Sequence, residues 1–125
     1  MTFKKLESIN FLPSSKRLTY KMISLDDISS FESLARNSYI REYLMEGMEV
    51  TTDDCLQWID ESNKLFEEKK VGLYLVYEND LLVGYAGFSR AHERIDDIEV
   101  LFAFSKNHSG KGFATEVCGA LVQFF

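Results

Sequence analysis

A chain of 125 residues, 46% hydrophobic and 27% charged, has the size and make-up of one globular domain with a modest core. Its 20 acidic residues outweigh 14 basic ones for a net charge of −6, which argues against a general nucleic-acid-binding role. No apolar run approaches the ~20 residues a membrane span needs, and Leu6 to Asn10, after Lys4 and Lys5, is no signal-peptide core.

Residues 1–14 show no clear period and read as an extension to a domain spanning 15–125. Arg17 to Ile23 reads as a short strand. Ser24-Leu25-Asp26-Asp27 follows, an N-cap serine with an acid three residues on. Leu25, Ile28, Phe31 and Leu34/Ala35 then recur at helical spacing. From Asn37 to Val50 the pattern is mixed, because Gly47 and the run Val50-Thr51-Thr52 break the helical spacing of Tyr39, Ile40, Tyr43 and Leu44. Thr51 or Thr52 caps a second helix, with Asp53 and Asp54 in its first turn. Cys55, Ile59, Leu65 and Phe66 give that helix an apolar side, and Glu67 to Lys70 reads as its solvated end.

Val71 to Tyr77 alternates as a strand, Glu78-Asn79-Asp80 is a turn, and Leu81 to Phe88 returns antiparallel. Gly84 and Gly87 inside the returning strand mark a bulge or a close backbone approach. Arg90 to Asp97 reads as a polar hairpin loop. Ile98 to Phe104 alternates again, with Ile98, Val100, Phe102 and Phe104 on one face and Glu99, Leu101 and Ala103 on the other. A loop carrying Gly110-Lys111-Gly112 leads into an amphipathic helix. Its stripe is Phe113/Ala114, Val117/Cys118, Leu121 and Phe124/Phe125. The expected class is therefore α+β, with helices on both faces of a mostly antiparallel sheet.

Cys55 and Cys118 form no C-x-x-C pattern and fall on apolar helix faces, so free thiols in a reducing, cytoplasmic setting are expected. The two histidines have no close ligand cluster, and no metal is expected.

The strand–loop–helix unit at 98–125 carries the chemistry. The unpartnered N–H groups and dipole of a helix start favour an anion, and glycines let a phosphate approach the backbone. Lys106, His108 and Lys111 surround this loop in a protein that is otherwise acidic. The spacing is neither a P-loop nor G-x-G-x-x-G, and on the glycines alone an ordinary tight turn is the competing reading. Ser109 adjoins His108, but there is no G-x-S-x-G elbow for a hydrolase. Aromatic residues follow the core stripes and are not interleaved with bases, which disfavours single-strand stacking.

In these residues the chain resembles the GCN5-related N-acetyltransferase superfamily, whose acetyl-coenzyme-A loop reads R/Q-x-x-G-x-G/A. Asn107-His108-Ser109-Gly110-Lys111-Gly112 matches it except at Asn107. Glu99-Val100-Leu101-Phe102 and Gly110-Lys111-Gly112-Phe113-Ala114-Thr115-Glu116 look like the branch that acetylates ribosomal-protein N-termini, with its E-I-G-Y and G-K-G-Y-A-T-E. Arg17, Leu18, Ser24 and Asp27 match the family's R-L-x-L-R-P-L-S-x-x-D, with Lys21 in place of an arginine.

The resemblance implies an acetyl-CoA-dependent transfer to a primary amine: a protein N-terminus, a polyamine or a small amine. Asn107, His108, Ser109, Gly110, Lys111, Gly112 and Thr115 would hold the cofactor's pyrophosphate, and the backbone of Leu101, Phe102 and Ala103 would face the thioester. Glu99 is the candidate general base, against a plain edge carboxylate or salt-bridge partner. Glu42, Glu46, Glu49, Asp53 and Asp54 would draw in a cationic amine, against a solvated helix face. Family members continue past Phe125 through further strands and a helix that carry a general acid, so a shortened GNAT-like fold is expected. The competing class is an inactive CoA-binding or self-associating module. An apolar helix end and an unpaired strand edge at 98–104 lead us to expect a homo-oligomer.

Overall fold

The computed structural model describes residues 13, 15–37, 40, 49–91, 94–105 and 112–124. In chain order these form β1 (Thr19–Met22), a 3₁₀ turn (Leu25–Asp27), α1 (Ile28–Ala35), α2 (Thr52–Lys69), β2 (Leu73–Glu78), β3 (Leu81–Ala91), β4 (Arg94–Phe104) and α3 (Phe113–Phe124). The four strands make one sheet in the order β1-β2-β3-β4, and every described pair is antiparallel. The expected α+β architecture and its element order are found.

Local chemistry sets the element ends. The Ser24 N–H donates to Asp27 Oδ2 at 2.9 Å, which closes the capping turn before α1. Thr51 is the cap of α2: its Oγ1 accepts from the Asp54 N–H at 3.1 Å, and its own N–H donates to Asp54 Oδ2 at 3.0 Å. Lys70 ends that helix in the left-handed region, at φ 65°. Asn79 and Asp80 both take positive φ, 50° and 70°, between Glu78 and Leu81, the two-residue turn that matches the twist of a hairpin.

One expectation fails. Arg90 to Asp97 is not a loop: β3 runs to Ala91 and β4 starts at Arg94, with Arg90 paired to Ile98. Periodicity reports side-chain burial, whereas a ladder is made of main-chain groups and continues through polar residues. Residues 92–93, between the two strands, lie outside the described residues.

Two apolar clusters sandwich the sheet. On one face Tyr74, Val76, Ala86, Phe88 and Phe104 pack with Phe113, Val117, Ala120 and Leu121 of α3. On the other, Leu73, Leu75, Tyr85 and Ala103 pack with Phe31, Leu34 and Ala35 of α1 and Cys55 and Ile59 of α2. The ladder shifts register between Val76 and Tyr77, leaving Val83 as the extra residue opposite, so the bulge expected near Gly84 is present. The alternation of β4 also holds, since Phe104 joins the first cluster while Leu101 and Ala103 lie with the second. Val100 and Phe102, 45% and 37% exposed, extend beyond the cover of α3. No described helix is long and apolar enough to cross a membrane.

Candidate functional site

Aromatic packing fixes where β4 delivers the chain to α3. The Phe102 and Phe104 ring centroids lie 6.4 Å apart, and Phe104 and Phe113 lie 5.8 Å apart, so the strand end and the helix start share one line of rings. Gly112 begins the helix, with its carbonyl accepting from the Glu116 N–H at 3.1 Å. Gly112 sits at φ 80°, where a side chain is strained, and is exposed. Thr115, in the same turn, is exposed as well. Asn107, His108, Ser109, Gly110 and Lys111, like Lys106, lie outside the described residues.

The ladder decides which backbone groups of β4 face outward. Ser105 N–H donates to the Val83 carbonyl at 3.2 Å, and Phe104 faces Gly84, which makes Gly84–Phe104 a non-bonded pair. Bonding alternates from there. Ala103 opposite Tyr85 and Leu101 opposite Gly87 exchange their N–H and C=O groups with β3. The main-chain groups of Phe102 and Val100 point the other way, to an edge with no neighbour among the described strands. Of Leu101, Phe102 and Ala103, only Phe102 turns its main-chain groups to that edge. Glu99 is exposed, opposite Ser89, on the same face as Leu101 and Ala103.

A pair that periodicity missed holds the helix start. Arg17 Nε donates to Glu116 Oε1 at 2.7 Å, and the Arg17 N–H donates to Oε2 at 2.8 Å. The guanidinium carbon lies 4.7 Å from the centre of the Phe113 ring. Desolvation pushes the Glu116 carboxyl up, but the hydrogen bonds from Arg17 and Ser15 and the arginine's charge outweigh it and hold the group below its ordinary value. The partners are 99 residues apart, and only their opposite charges hint at the contact.

The acids proposed for an amine divide. Glu49 and Asp53 line an open pocket of about 470 Å³ together with Arg36, Val50, Thr51 and Thr52. Arg36 is tied there, its Nε donating to the Val50 carbonyl at 3.0 Å and its Nη1 lying 3.0 Å from Glu32. Asp54 is engaged in capping α2, and Glu42 and Glu46 lie outside the described residues. Burial raises the Cys55 thiol and the Tyr74 and Tyr85 phenols, so all three stay protonated at neutral pH. Cys55 is buried, Cys118 half-buried, and both are free. Among the described residues no group of three His, Cys, Asp or Glu is arranged to hold a metal ion.

The family model described as an acetyltransferase (GNAT) domain matches residues 17–125. A search of curated proteins returns no match. Among solved structures, a GnaT-family acetyltransferase from Bordetella pertussis aligns at TM-score 0.76 with 18% identity, over 90% of this chain and 69% of its own. An acetyltransferase from Salmonella typhimurium, which modifies the N-terminal serine of ribosomal protein L7/L12, aligns at 0.71 with 12% identity, over 90% and 65%. RimL, a ribosomal L7/L12 α-N-protein acetyltransferase in complex with coenzyme A, aligns at 0.70 with 12% identity, over the same shares. The chain thus spans about two thirds of the length of these relatives. With its model match and its sheet in agreement, the chain belongs to the acetyltransferase (GNAT) domain family.

Proposed function

We propose that this chain forms the donor-binding part of an N-acetyltransferase that takes an acetyl group from acetyl-CoA and delivers it to a primary amine. The observation that carries the reading is the passage of β4, with the Phe102 main chain turned outward, into the glycine-led start of α3. Residues 107–112 and Thr115 would receive the pyrophosphate where the chain enters α3. Gly112 suits that role, since it carries no side chain of its own where the helix begins. The Phe102 N–H would donate to the thioester carbonyl oxygen, where negative charge develops.

Acetyl-CoA supplies the activated acyl group. Glu99 would accept the amine's proton as the new C–N bond forms and the C–S bond breaks, the departing sulfur taking a proton from solvent. Glu49 and Asp53 provide negative charge for a cationic acceptor. A protein N-terminus is the preferred acceptor, by likeness to relatives that modify L7/L12. Free thiols at Cys55 and Cys118 fit a reducing, cytoplasmic setting. The edge of β4, unpaired among the described strands, and the exposed Val100 and Phe102 support self-association, to be measured by light scattering.

Calorimetric titration of the purified protein with acetyl-CoA tests the reading. Saturable binding at one site per chain is expected, followed by acetylation of a peptide with a free α-amine and not of its blocked form. Absence of binding overturns it.

A further inference from the structure

Glu116 poses a difficulty for an anion at the start of α3. It is a carboxylate in the first turn of that helix, where its charge repels a phosphate and its oxygens compete for the same open N–H groups. The structure answers with Arg17. Both carboxylate oxygens are engaged by this residue, one through the guanidinium at 2.7 Å and one through the backbone at 2.8 Å. The guanidinium also lies over Phe113, the first residue of the helix, and its Nη2 lies 3.5 Å from the place a Cβ on Gly112 would take. One arginine from the chain preceding β1 thus reaches all of Gly112, Phe113 and Glu116.

We infer that Arg17 is a positioning residue for the donor site: it holds both oxygens of the Glu116 carboxylate and cancels its charge, so that the diphosphate of CoA is not opposed there. The inference rests on the reading of that helix start as the diphosphate site. It differs from a direct arginine–phosphate contact, because Arg17 is needed only while residue 116 is negative.

That difference sets the experiment. CoA affinity is measured by calorimetry for the unaltered protein, Arg17→Ala, Glu116→Gln and the double variant, with melting curves to establish folding. Arg17→Ala is expected to bind on the order of tenfold more weakly, the effect of one uncancelled charge at close range in a partly screened site. Glu116→Gln binds no more weakly than the unaltered protein. The double variant, which has the net charge of the original, regains affinity to within about twofold of Glu116→Gln, since the pair acts as a unit. A folded double variant as weak as Arg17→Ala would show a direct contact and overturn the inference alone. If Arg17→Ala does not fold, Arg17→Gln replaces it. Its amide can still reach Glu116 but carries no charge, and the same loss and the same rescue are required. Failure of the unaltered protein to bind CoA overturns the donor-site reading, and this inference with it.

Discussion

The Ser62 hydroxyl accepts the Leu73 N–H at 2.8 Å, joining the middle of α2 to the first residue of β2 across a buried seam. Ser62 is itself buried, 4% exposed. A Cβ on the neighbouring Gly72 would come within 2.8 Å of Ser62 Oγ and 2.6 Å of Phe66, so helix and strand meet as closely as backbone allows. Ser62→Ala leaves the Leu73 amide buried without this acceptor. The variant should lose about 1–3 kcal/mol of stability in urea denaturation, with the slope unchanged; a midpoint equal to the unaltered protein's would refute the seam.

Local pattern made most of the architecture legible. Period-two runs at 71–77, 81–88 and 98–104 and helical stripes at 25–35, 55–66 and 113–125 each depend on neighbours a few residues away, and each gave an element, with β2 starting only at Leu73 and Leu25–Asp27 forming the 3₁₀ turn before α1. Ser24, Thr51 and Asn79-Asp80 marked ends because capping and turn chemistry is equally local. What escaped was long-range or main-chain in origin. Ser62 falls on the apolar side of α2 with Cys55, Ile59 and Phe66, but nothing nearby in sequence announces its partner Leu73. Arg17 and Glu116 meet across 99 residues of chain. The outward turn of Phe102 follows from ladder phase, which side-chain alternation does not encode.

Gly87 tests the sheet directly. It takes φ 149°, and a Cβ there would lie 2.1 Å from the Gly72 carbonyl oxygen, which itself accepts the Phe88 N–H at 2.9 Å. Neither backbone can yield without breaking the β2–β3 ladder. Gly87→Ala should therefore cost more than about 3 kcal/mol, beyond the usual range for a single change. Circular dichroism melts would show a large fall in midpoint or no cooperative transition; a melt like the original would refute the close approach.

Among the described residues, Arg17 Nη2 at 3.5 Å is the one atom near a Cβ added at Gly112, an ordinary contact, so the strain of the positive φ decides the outcome. Gly112→Val must hold φ near 80° at about 1–2 kcal/mol or more, or shift the helix start. The protein should fold, because the buried stripe of α3 is untouched, yet bind acetyl-CoA at least about tenfold more weakly. Unchanged affinity would remove Gly112 from the donor site.

Glu99 is exposed, so replacing it disturbs no packing. Glu99→Gln keeps the shape and removes the proton acceptor. Acetyl-CoA affinity should stay the same while the rate of transfer to a peptide amine falls on the order of 10²-fold. Equal rates at neutral pH would leave Glu99 as an edge carboxylate without a part in proton transfer.

The Arg17–Glu116 pair makes a prediction about acid. Groups facing the carboxylate are Arg17, through side chain and backbone, and Ser15, whose hydroxyl also meets the Tyr20 hydroxyl at 2.9 Å. Glu116 ionises more readily folded than unfolded, its ordinary value being 4.5. A carboxyl with a lowered folded pKa binds fewer protons in the native state, so it contributes stability above its unfolded pKa and loses it as pH falls through the folded one. Arg17 is 45% exposed, so solvent screening limits the pair to about 1 kcal/mol. Glu116→Gln cannot titrate. Its stability deficit against the unaltered protein should be full near about pH 6 and shrink steadily below the ordinary carboxylate value. Urea midpoints of both proteins, taken through that range, measure it, and a deficit that stays constant into strong acid would mean that the pair's ionisation contributes nothing to the fold.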